Sequence, residues 1–210
     1  MNQSLVTGWT TTATDQQIEL WSSGFQGVTA YAGNQFAELN ANQVGTQIQT
    51  FPATAGDQLS IGFAHRGRAG TDVMSVVVGP VGGPYVTIGT YTDGNTAWGY
   101  YNVGYTVPTT GNIEVRFTSV SAAGGSLSVG NFIDAVSVSL IPLPIIVGSN
   151  TGCPNVPVSY SVSNVYSSYN WVVTGGTIIS GQGTPNVNVR WNATGTRTLK
   201  TTVTNASGCT

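Results

Sequence analysis

The densest charged stretch of the sequence runs from His65 to Asp72 and places His65, Arg66 and Arg68 within four positions. Arginine side chains bind the hydroxyls or carboxylates of a sugar through paired, charge-assisted hydrogen bonds. The same arginines can instead pair with Asp72 or Glu38 and only fix the loop, and the sequence leaves both roles open. We therefore take His65, Arg66, Arg68 and Asp72 as candidate ligand-binding residues.

A second candidate group is aromatic and contains Trp98, Tyr100 and Tyr101. Flat aromatic surfaces with a polar edge are the usual platform for the C–H faces of sugar rings. Side chains alternate along a strand, so Trp98 and Tyr100 are expected on one face and Tyr101 on the other. We predict that these residues bind a ligand, with a core position as the alternative for Trp98. Less clustered aromatic residues are Trp9, Trp21, Tyr31 and Tyr91.

The acidic residues permit two kinds of site. Calcium takes six to eight oxygen ligands, which side chains and loop carbonyls supply together. A glycosidase needs two carboxylates about 5–10 Å apart, and Glu19, Glu38 and Asp72 are available, but no spacing singles out a pair. We expect no enzyme, with a glycosidase as the alternative. The alternative to a metal is ordinary hydrogen-bonded carboxylates. The predicted ligands of a structural calcium ion are Asp15, Glu19, Glu38, Asn40 and Asp134.

Several other kinds of chemistry are excluded. One histidine and two distant cysteines do not fill a zinc site of the usual spacing, and no Gly-x-Ser-x-Gly elbow or phosphate-binding loop occurs. A net charge of −2 gives the chain no electrostatic attraction to nucleic acid. No apolar stretch reaches the roughly 20 residues of a membrane helix, so direct membrane insertion is not expected.

The elements that must position these residues are predicted to be strands. Of the 210 residues only 7% are charged, while Thr (29), Gly (28) and Val (26) are the commonest. Thr and Val favour pleated sheets, Gly favours tight turns, and surface helices need the charged residues that are scarce here. Short strand-like runs separated by Gly or Pro are typical of a sandwich or barrel. Leu59, Ile61 and Phe63 alternate with small residues, which predicts a strand with one face in the core.

The chain is predicted to form two domains, 1–141 and 145–210, joined by a stiff link at Pro142 and Pro144. All eight acidic residues precede position 140, whereas only Arg190, Arg197 and Lys200 are charged after it. Cys153 and Cys209 bracket the second domain. We predict a disulfide between them, with two free thiols as the alternative.

The second domain resembles the PKD-like and Ig-like repeats of cell-surface proteins in the Bacteroidota. The resemblance lies in Cys153-Pro154, Tyr169-Asn170-Trp171, Val187-Asn188-Val189-Arg190-Trp191 and the end of the chain at Asn205–Cys209. Such repeats are stalks and spacers in adhesins and secreted enzymes, so the resemblance implies a small sandwich without chemistry. Trp171 and Trp191 are expected in its core.

The first domain resembles the jelly-roll modules of secreted bacterial proteins, many of which bind carbohydrate. The resemblance lies in Asp15–Trp21, Gln35–Asn40, Tyr105–Pro108 and Asn131–Val136, together with Trp98. It implies a jelly-roll β-sandwich closed by the strand at Asn131–Val136. Because many members hold a structural calcium near the edge of the sandwich, it also implies that ion.

Together these features predict a non-catalytic adhesion or carbohydrate-recognition module of a larger protein. We expect it outside the cell or at the cell surface, with a glycan or another surface protein as partner. The alternative is a structural subunit of a surface filament, a homopolymer without a small ligand. An unpaired edge strand or a large apolar patch would favour the filament.

Overall fold

The computed structural model describes residues 1–125, 127–141 and 144–204. In this part of the chain the regular elements are sixteen strands and two short 3-10 turns, Gln3–Leu5 and Phe25–Gly27. The prediction of an all-β protein is confirmed. The chain divides into two compact units, Met1–Leu140 and Ile141–Thr210, which we call the N-terminal and the C-terminal unit.

The N-terminal unit is a sandwich of two five-stranded sheets. The first sheet has the order β1-β4-β9-β6-β7 and the second has the order β2-β3-β10-β5-β8. The chain crosses between the sheets at most of its turns, which is the jelly-roll arrangement that the sequence predicts. The strands are β1 (Trp9–Thr11), β2 (Glu19–Ser22), β3 (Gln35–Glu38), β4 (Thr46–Ala53), β5 (Gln58–Arg66), β6 (Asp72–Pro80), β7 (Val86–Asp93), β8 (Gly99–Thr106), β9 (Gly111–Ser121) and β10 (Phe132–Ile141).

The main core lies between the two sheets and follows strict alternation along the strands. On β5 the side chains of Leu59, Ile61 and Phe63 point inward, as their spacing predicts. The first sheet contributes fully buried side chains from β6 and β9, so the interior is closed with branched and aromatic residues. These are Met74, Val76, Val78, Ile113, Val115 and Phe117.

A second, smaller core covers part of the outer face of the second sheet. Trp21 on β2, Phe36 on β3 and Phe132 on β10 are buried there together with Val28. Val28 belongs to residues 23–34, a segment between β2 and β3 that we call the platform loop. Since its ends are joined by a hydrogen bond from the Ser23 N–H to the Asn34 carbonyl, the loop closes on itself over the sheet.

The C-terminal unit is a small sandwich with sheets in the order β11-β12-β15-β14 and β13-β16. Trp171 and Trp191 are buried in its core, as predicted. Their indole N–H groups are satisfied, because Trp171 donates to the Thr184 carbonyl (2.9 Å) and Trp191 to the Tyr160 hydroxyl (2.9 Å). The strands are β11 (Val147–Gly148), β12 (Pro157–Ser161), β13 (Ser168–Thr174), β14 (Gly176–Ser180), β15 (Asn186–Trp191) and β16 (Thr198–Thr204).

Two predictions fall on residues outside the described ranges. Cys153 is exposed, but its predicted disulfide partner Cys209 lies outside the described residues, so the disulfide stays a prediction. Pro142, at the predicted stiff link, is also outside them. Within the described residues, no helix is both long and apolar enough to cross a membrane.

Candidate functional site

Strand β8 distributes its tyrosines to the two sides of the second sheet. Tyr101 pairs with Phe63 of β5 and points into the main core, whereas Tyr100 pairs with Ala64 and points outward. Trp98 directly precedes β8 and packs on the same outer side, against Phe36 at 5.6 Å between ring centroids. The predicted alternation is therefore present, and it makes Trp98 and Tyr100 the outward residues of this group.

The outward tyrosine belongs to an aromatic platform, which we define as Tyr31, Trp98 and Tyr100. The rings of Tyr31 and Tyr100 are stacked, with centroids 5.4 Å apart and planes 9° from parallel. Trp98 meets Tyr31 edge-on at 6.5 Å. Tyr31 is 45% and Tyr100 47% exposed, so nearly half of each tyrosine is accessible to a ligand.

Tyr31 reaches this position through the platform loop. The Trp98 indole N–H donates to the Thr29 carbonyl at 2.8 Å, and the Ala32 N–H donates to Asp134 Oδ2 at 3.0 Å. A further hydrogen bond inside the loop joins the Ala30 N–H to Ser23 Oγ at 3.0 Å. The loop is therefore fixed on both sides of Tyr31.

The sheet surface beside the platform is nearly free of large side chains. A Cβ atom on Gly62 would lie 2.4 Å from the Tyr100 hydroxyl and 2.7 Å from Ser137 Oγ, so the Tyr100 phenol lies flat across the sheet above this glycine. Next to it, Ser60 Oγ donates to Asn102 Oδ1 at 2.7 Å. Asn102 is exposed, which places an amide group within the same surface as the rings.

The charged stretch that the sequence singled out folds into a different environment. His65 is fully buried, with Nδ1 2.7 Å from Asp93 Oδ2 and Nε2 2.9 Å from Asn131 Oδ1. Asp72 is also fully buried, and its carboxylate accepts the backbone N–H groups of Arg68, Ala123 and Asn131 at 2.7–2.9 Å. The polar atoms of His65 and Asp72 therefore form hydrogen bonds with other groups of the protein.

The arginines of this stretch are likewise engaged. Arg68 Nη1 donates to both carboxylate oxygens of Glu38 at 3.0 Å, and its guanidinium lies 4.5 Å from the ring centroid of Trp21. Arg66 donates to the Asn95 carbonyl. We call Glu38, His65, Arg68, Asp72 and Asn131 the buried polar network. The structure shows the loop-fixing contacts. A ligand-binding role stays a prediction for His65, Arg66, Arg68 and Asp72.

Burial changes the acidity of Glu38. This carboxyl is fully buried, and desolvation raises its pKa from the usual 4.5 to about 7, against the lowering effect of the Gly130 N–H and of Arg68. Glu19, directly opposite on β2, adds to the rise. Because Glu38 and Asp72 are both fully enclosed, neither faces an open cleft as a glycosidase pair would.

Tyr101, a predicted ligand-binding residue, is anchored inward instead. Its hydroxyl donates to both oxygens of Asp93 at 2.9 Å. Burial, followed by the hydrogen bond and charge of Asp93, raises the pKa of Tyr101 to about 12. Tyr101 therefore connects β8 to the main core, on the opposite side of the sheet from the platform.

Three of the predicted calcium ligands, Asp15, Glu38 and Asp134, accept hydrogen bonds from other groups. Asp15 accepts from the Asn42 amide, which is the main reason that its pKa is lowered, and Asp134 accepts from two backbone N–H groups. Asn40 is buried with Oδ1 unpartnered in the part of the chain described. No group of three or more His, Cys, Asp or Glu side chains among the described residues is arranged to hold a metal. Calcium binding stays a prediction of the sequence.

The sequence marks Tyr31 only weakly, because this residue stands apart from the aromatic cluster at Trp98. Its partner Tyr100 is 69 positions away, and no strand alternation marks the loop. The one sequence signal for its role is an aromatic residue among smaller neighbours in the segment 28–33. Small neighbours leave room for the Tyr31 ring to extend across the sheet.

The family model that matches this chain covers the C-terminal unit. Residues 140–210 match the family model of a PKD-like domain. No curated protein matches the chain. The resemblance of the C-terminal part to PKD-like repeats is therefore confirmed.

Similar solved structures include carbohydrate-binding modules. One is the C-terminal family 22 carbohydrate-binding module of Clostridium thermocellum Xyn10B, with a TM-score of 0.49 and 16% identity over 64% of this chain and 87% of that chain. Another is the CBM22-2 xylan-binding domain of Paenibacillus barcinonensis Xyn10C, with a TM-score of 0.48 and 11% identity over 65% of this chain and 93% of that chain. A third is TmCBM61 in complex with β-1,4-galactotriose, with a TM-score of 0.43 and 14% identity over 64% of this chain and 90% of that chain.

Proposed function

We propose that the N-terminal unit is a non-catalytic carbohydrate-binding module that holds a glycan on the outer face of its second sheet. The observation that carries this proposal is the stacked, half-exposed pair of Tyr31 and Tyr100 beside Trp98. Solvated rings of this kind are costly to leave in water and suit the apolar faces of sugar rings. The polar groups of Asn102 and Ser60 lie next to them, where sugar hydroxyls need hydrogen-bond partners.

The charge of the site favours a neutral ligand. Asp134 is bonded to the platform loop, and both of its carboxylate oxygens accept backbone N–H groups. The arginines Arg66 and Arg68 are engaged with the Asn95 carbonyl and with Glu38. Recognition in this proposal therefore depends on stacking and neutral hydrogen bonds, with low affinity at each site and a gain from multivalency.

The binding experiment uses the full chain and soluble polysaccharides in affinity electrophoresis, followed by calorimetry with the best ligand. Xylan and β-1,4-galactan are the probes, and a soluble cellulose derivative and a mannan are the competitors. We expect Tyr31→Ala and Tyr100→Ala each to weaken binding about tenfold, as loss of a buried aromatic contact does. Loss of all retention in the wild type would overturn the proposal.

Tyr85→Ala is the matched control. Tyr85 is 37% exposed, but it precedes β7 of the first sheet and its hydroxyl donates to Glu114. We expect its replacement to leave the affinity unchanged. Equal losses in Tyr85→Ala and Tyr100→Ala would show that binding does not depend on the platform.

For the whole chain we propose a place outside the cell, with the C-terminal unit as a spacer that carries the binding unit. The PKD-like match of residues 140–210 and the low content of charged residues support this assignment. Antibody labelling of intact cells that produce the protein tests it. Labelling only after the cells are opened would contradict it.

A further inference from the structure

Asp134 uses both of its carboxylate oxygens on backbone N–H groups beside the aromatic platform. Oδ2 accepts from Ala32 at 3.0 Å, and Oδ1 accepts from Ala135 at 2.6 Å. Ala32 directly follows Tyr31, and it is 102 positions away from Asp134 in the chain. The contact therefore ties the platform loop to β10 immediately next to a platform ring.

The backbone of β10 changes course at this residue. Pairing between β3 and β10 covers Phe132 and Ile133, and Ala135 then has a φ of 49°, a left-handed conformation that is strained for a residue other than glycine. The bond from the Ala135 N–H to Asp134 Oδ1 stabilises that turn of the backbone. A local kink of this kind changes the direction of a side chain. Here the Asp134 side chain reaches the Ala32 N–H of the platform loop.

Tyr31 is held from the opposite side as well. The Trp98 indole N–H binds the Thr29 carbonyl two residues before Tyr31, and Asp134 binds the Ala32 N–H one residue after it. Trp98, directly before β8, and Asp134, on β10, therefore fix the backbone on each side of one ring. That arrangement accounts for a loop tyrosine lying within 9° of parallel to a strand tyrosine.

We propose that Asp134 is a positioning residue of the glycan site, which holds Tyr31 against Tyr100 before the ligand arrives; this rests on the proposed function. Asp134 does not touch the glycan in this proposal. Its effect is that the loop is already ordered before binding, so that no affinity is lost in ordering it when the glycan binds. The role differs from the metal-ligand role that the sequence predicted for the same residue.

The test combines a ligand-free measurement with a double-mutant cycle. In the ligand-free chain, Asp134→Ala is expected to speed hydrogen exchange at the Ala32 amide and to remove the NMR cross-relaxation between the Tyr31 and Tyr100 rings. Binding of soluble xylan or β-1,4-galactan is expected to weaken about 5- to 10-fold. The double variant Tyr31→Ala/Asp134→Ala should bind no more weakly than Tyr31→Ala, because both changes remove the same ring from the site.

Two further variants separate positioning from general stability. Asp134→Asn exchanges one acceptor oxygen for a donor and is expected to give an intermediate loss. Asp57→Ala is the control, since Asp57 accepts the Thr54 N–H at 2.8 Å in the β4–β5 turn and should not alter binding or the Tyr31 ring.

The results that would overturn the proposal are specific. A lower melting temperature for Asp134→Ala with unchanged ring contacts and unchanged affinity would make the residue merely structural. Additive losses in the double-mutant cycle would also exclude positioning of Tyr31. If the wild type binds none of the polysaccharides, the proposed function fails, and the exchange and ring measurements still decide whether Asp134 holds Tyr31.

Discussion

The aromatic platform and the buried polar network are both mixtures of rings and polar groups in the N-terminal unit. They differ in what remains available to another molecule. In the network, His65, Asp72 and Glu38 are fully buried, and each has partners inside the protein. In the platform, Tyr31 and Tyr100 are nearly half exposed. The densely charged stretch from His65 to Asp72 therefore stabilises the fold. The proposed glycan site is marked instead by aromatic side chains that remain exposed after folding.

The largest effect is expected for Asp72→Ala, which tests the network as a stabilising element. The change leaves three backbone N–H groups without their acceptor, at a cost of about 3 kcal/mol or more. Calorimetry should show a fall of about 10 °C in the melting temperature of the N-terminal unit. Asp57→Ala, which removes one exposed turn contact, serves as the control, and equal falls would contradict the expectation.

Gly62→Ala sharpens the comparison from the side of the platform. The new methyl group would lie 2.4 Å from the Tyr100 hydroxyl, so the phenol must lift from the sheet. We expect binding of the glycan to weaken about fivefold while the melting temperature changes by no more than about 3 °C, since the displaced ring is half exposed. A variant that binds as tightly as the wild type would show that the flat position of Tyr100 does not matter.

The buried network also predicts a pH dependence of stability. The pKa of Glu38 is about 7 in the folded protein, against 4.5 as its usual value. The folded state therefore binds more protons between these values, and the free energy of unfolding should fall as the pH rises from about 5 to about 8. Glu38→Gln carries no titrating carboxyl and should show a flatter profile in thermal denaturation. The same slope in both proteins would exclude Glu38 as its source.

The smallest effect is expected from a chelator. Asp15, Glu38 and Asp134 already accept other hydrogen bonds. Among the described residues, no group of three or more His, Cys, Asp or Glu side chains is arranged to hold a metal. Addition of EDTA should therefore leave the melting temperature and the glycan affinity unchanged. A fall of several degrees that added calcium reverses would restore the metal prediction.

The sequence predicts the architecture well because strand alternation is local. The alternation of Leu59, Ile61 and Phe63 places β5. The outward face of Tyr100 and the inward face of Tyr101 also follow from alternation. The core positions of Trp171 and Trp191 follow instead from the resemblance to Ig-like repeats. The long-range contacts do not follow from alternation. The sequence offers both Asp72 and Glu38 as partners for the Arg68 guanidinium, and only the folded structure selects Glu38.

The platform itself depends on a loop, and this limits prediction further. Tyr31 meets Tyr100 only because residues 23–34 fold back over the sheet, and the contacts that hold them come from Trp98 and Asp134. Asp134 appeared as a metal ligand on the basis of its residue type. Its partner turned out to be a backbone N–H, which every residue except proline carries and which no sequence pattern marks.

Because the platform loop is closed at its base, it can be exchanged without changing the rest of the proposed binding face. Ser23 and Asn34 are joined by a backbone hydrogen bond of 2.8 Å, so a loop of another length that closes at the same pair would leave β2 and β3 in place. Such an exchange would present a different ring, or none, to Tyr100 while the main core stays untouched. Part of the proposed glycan-binding surface can thus vary on an unchanged scaffold, as in antibody loops.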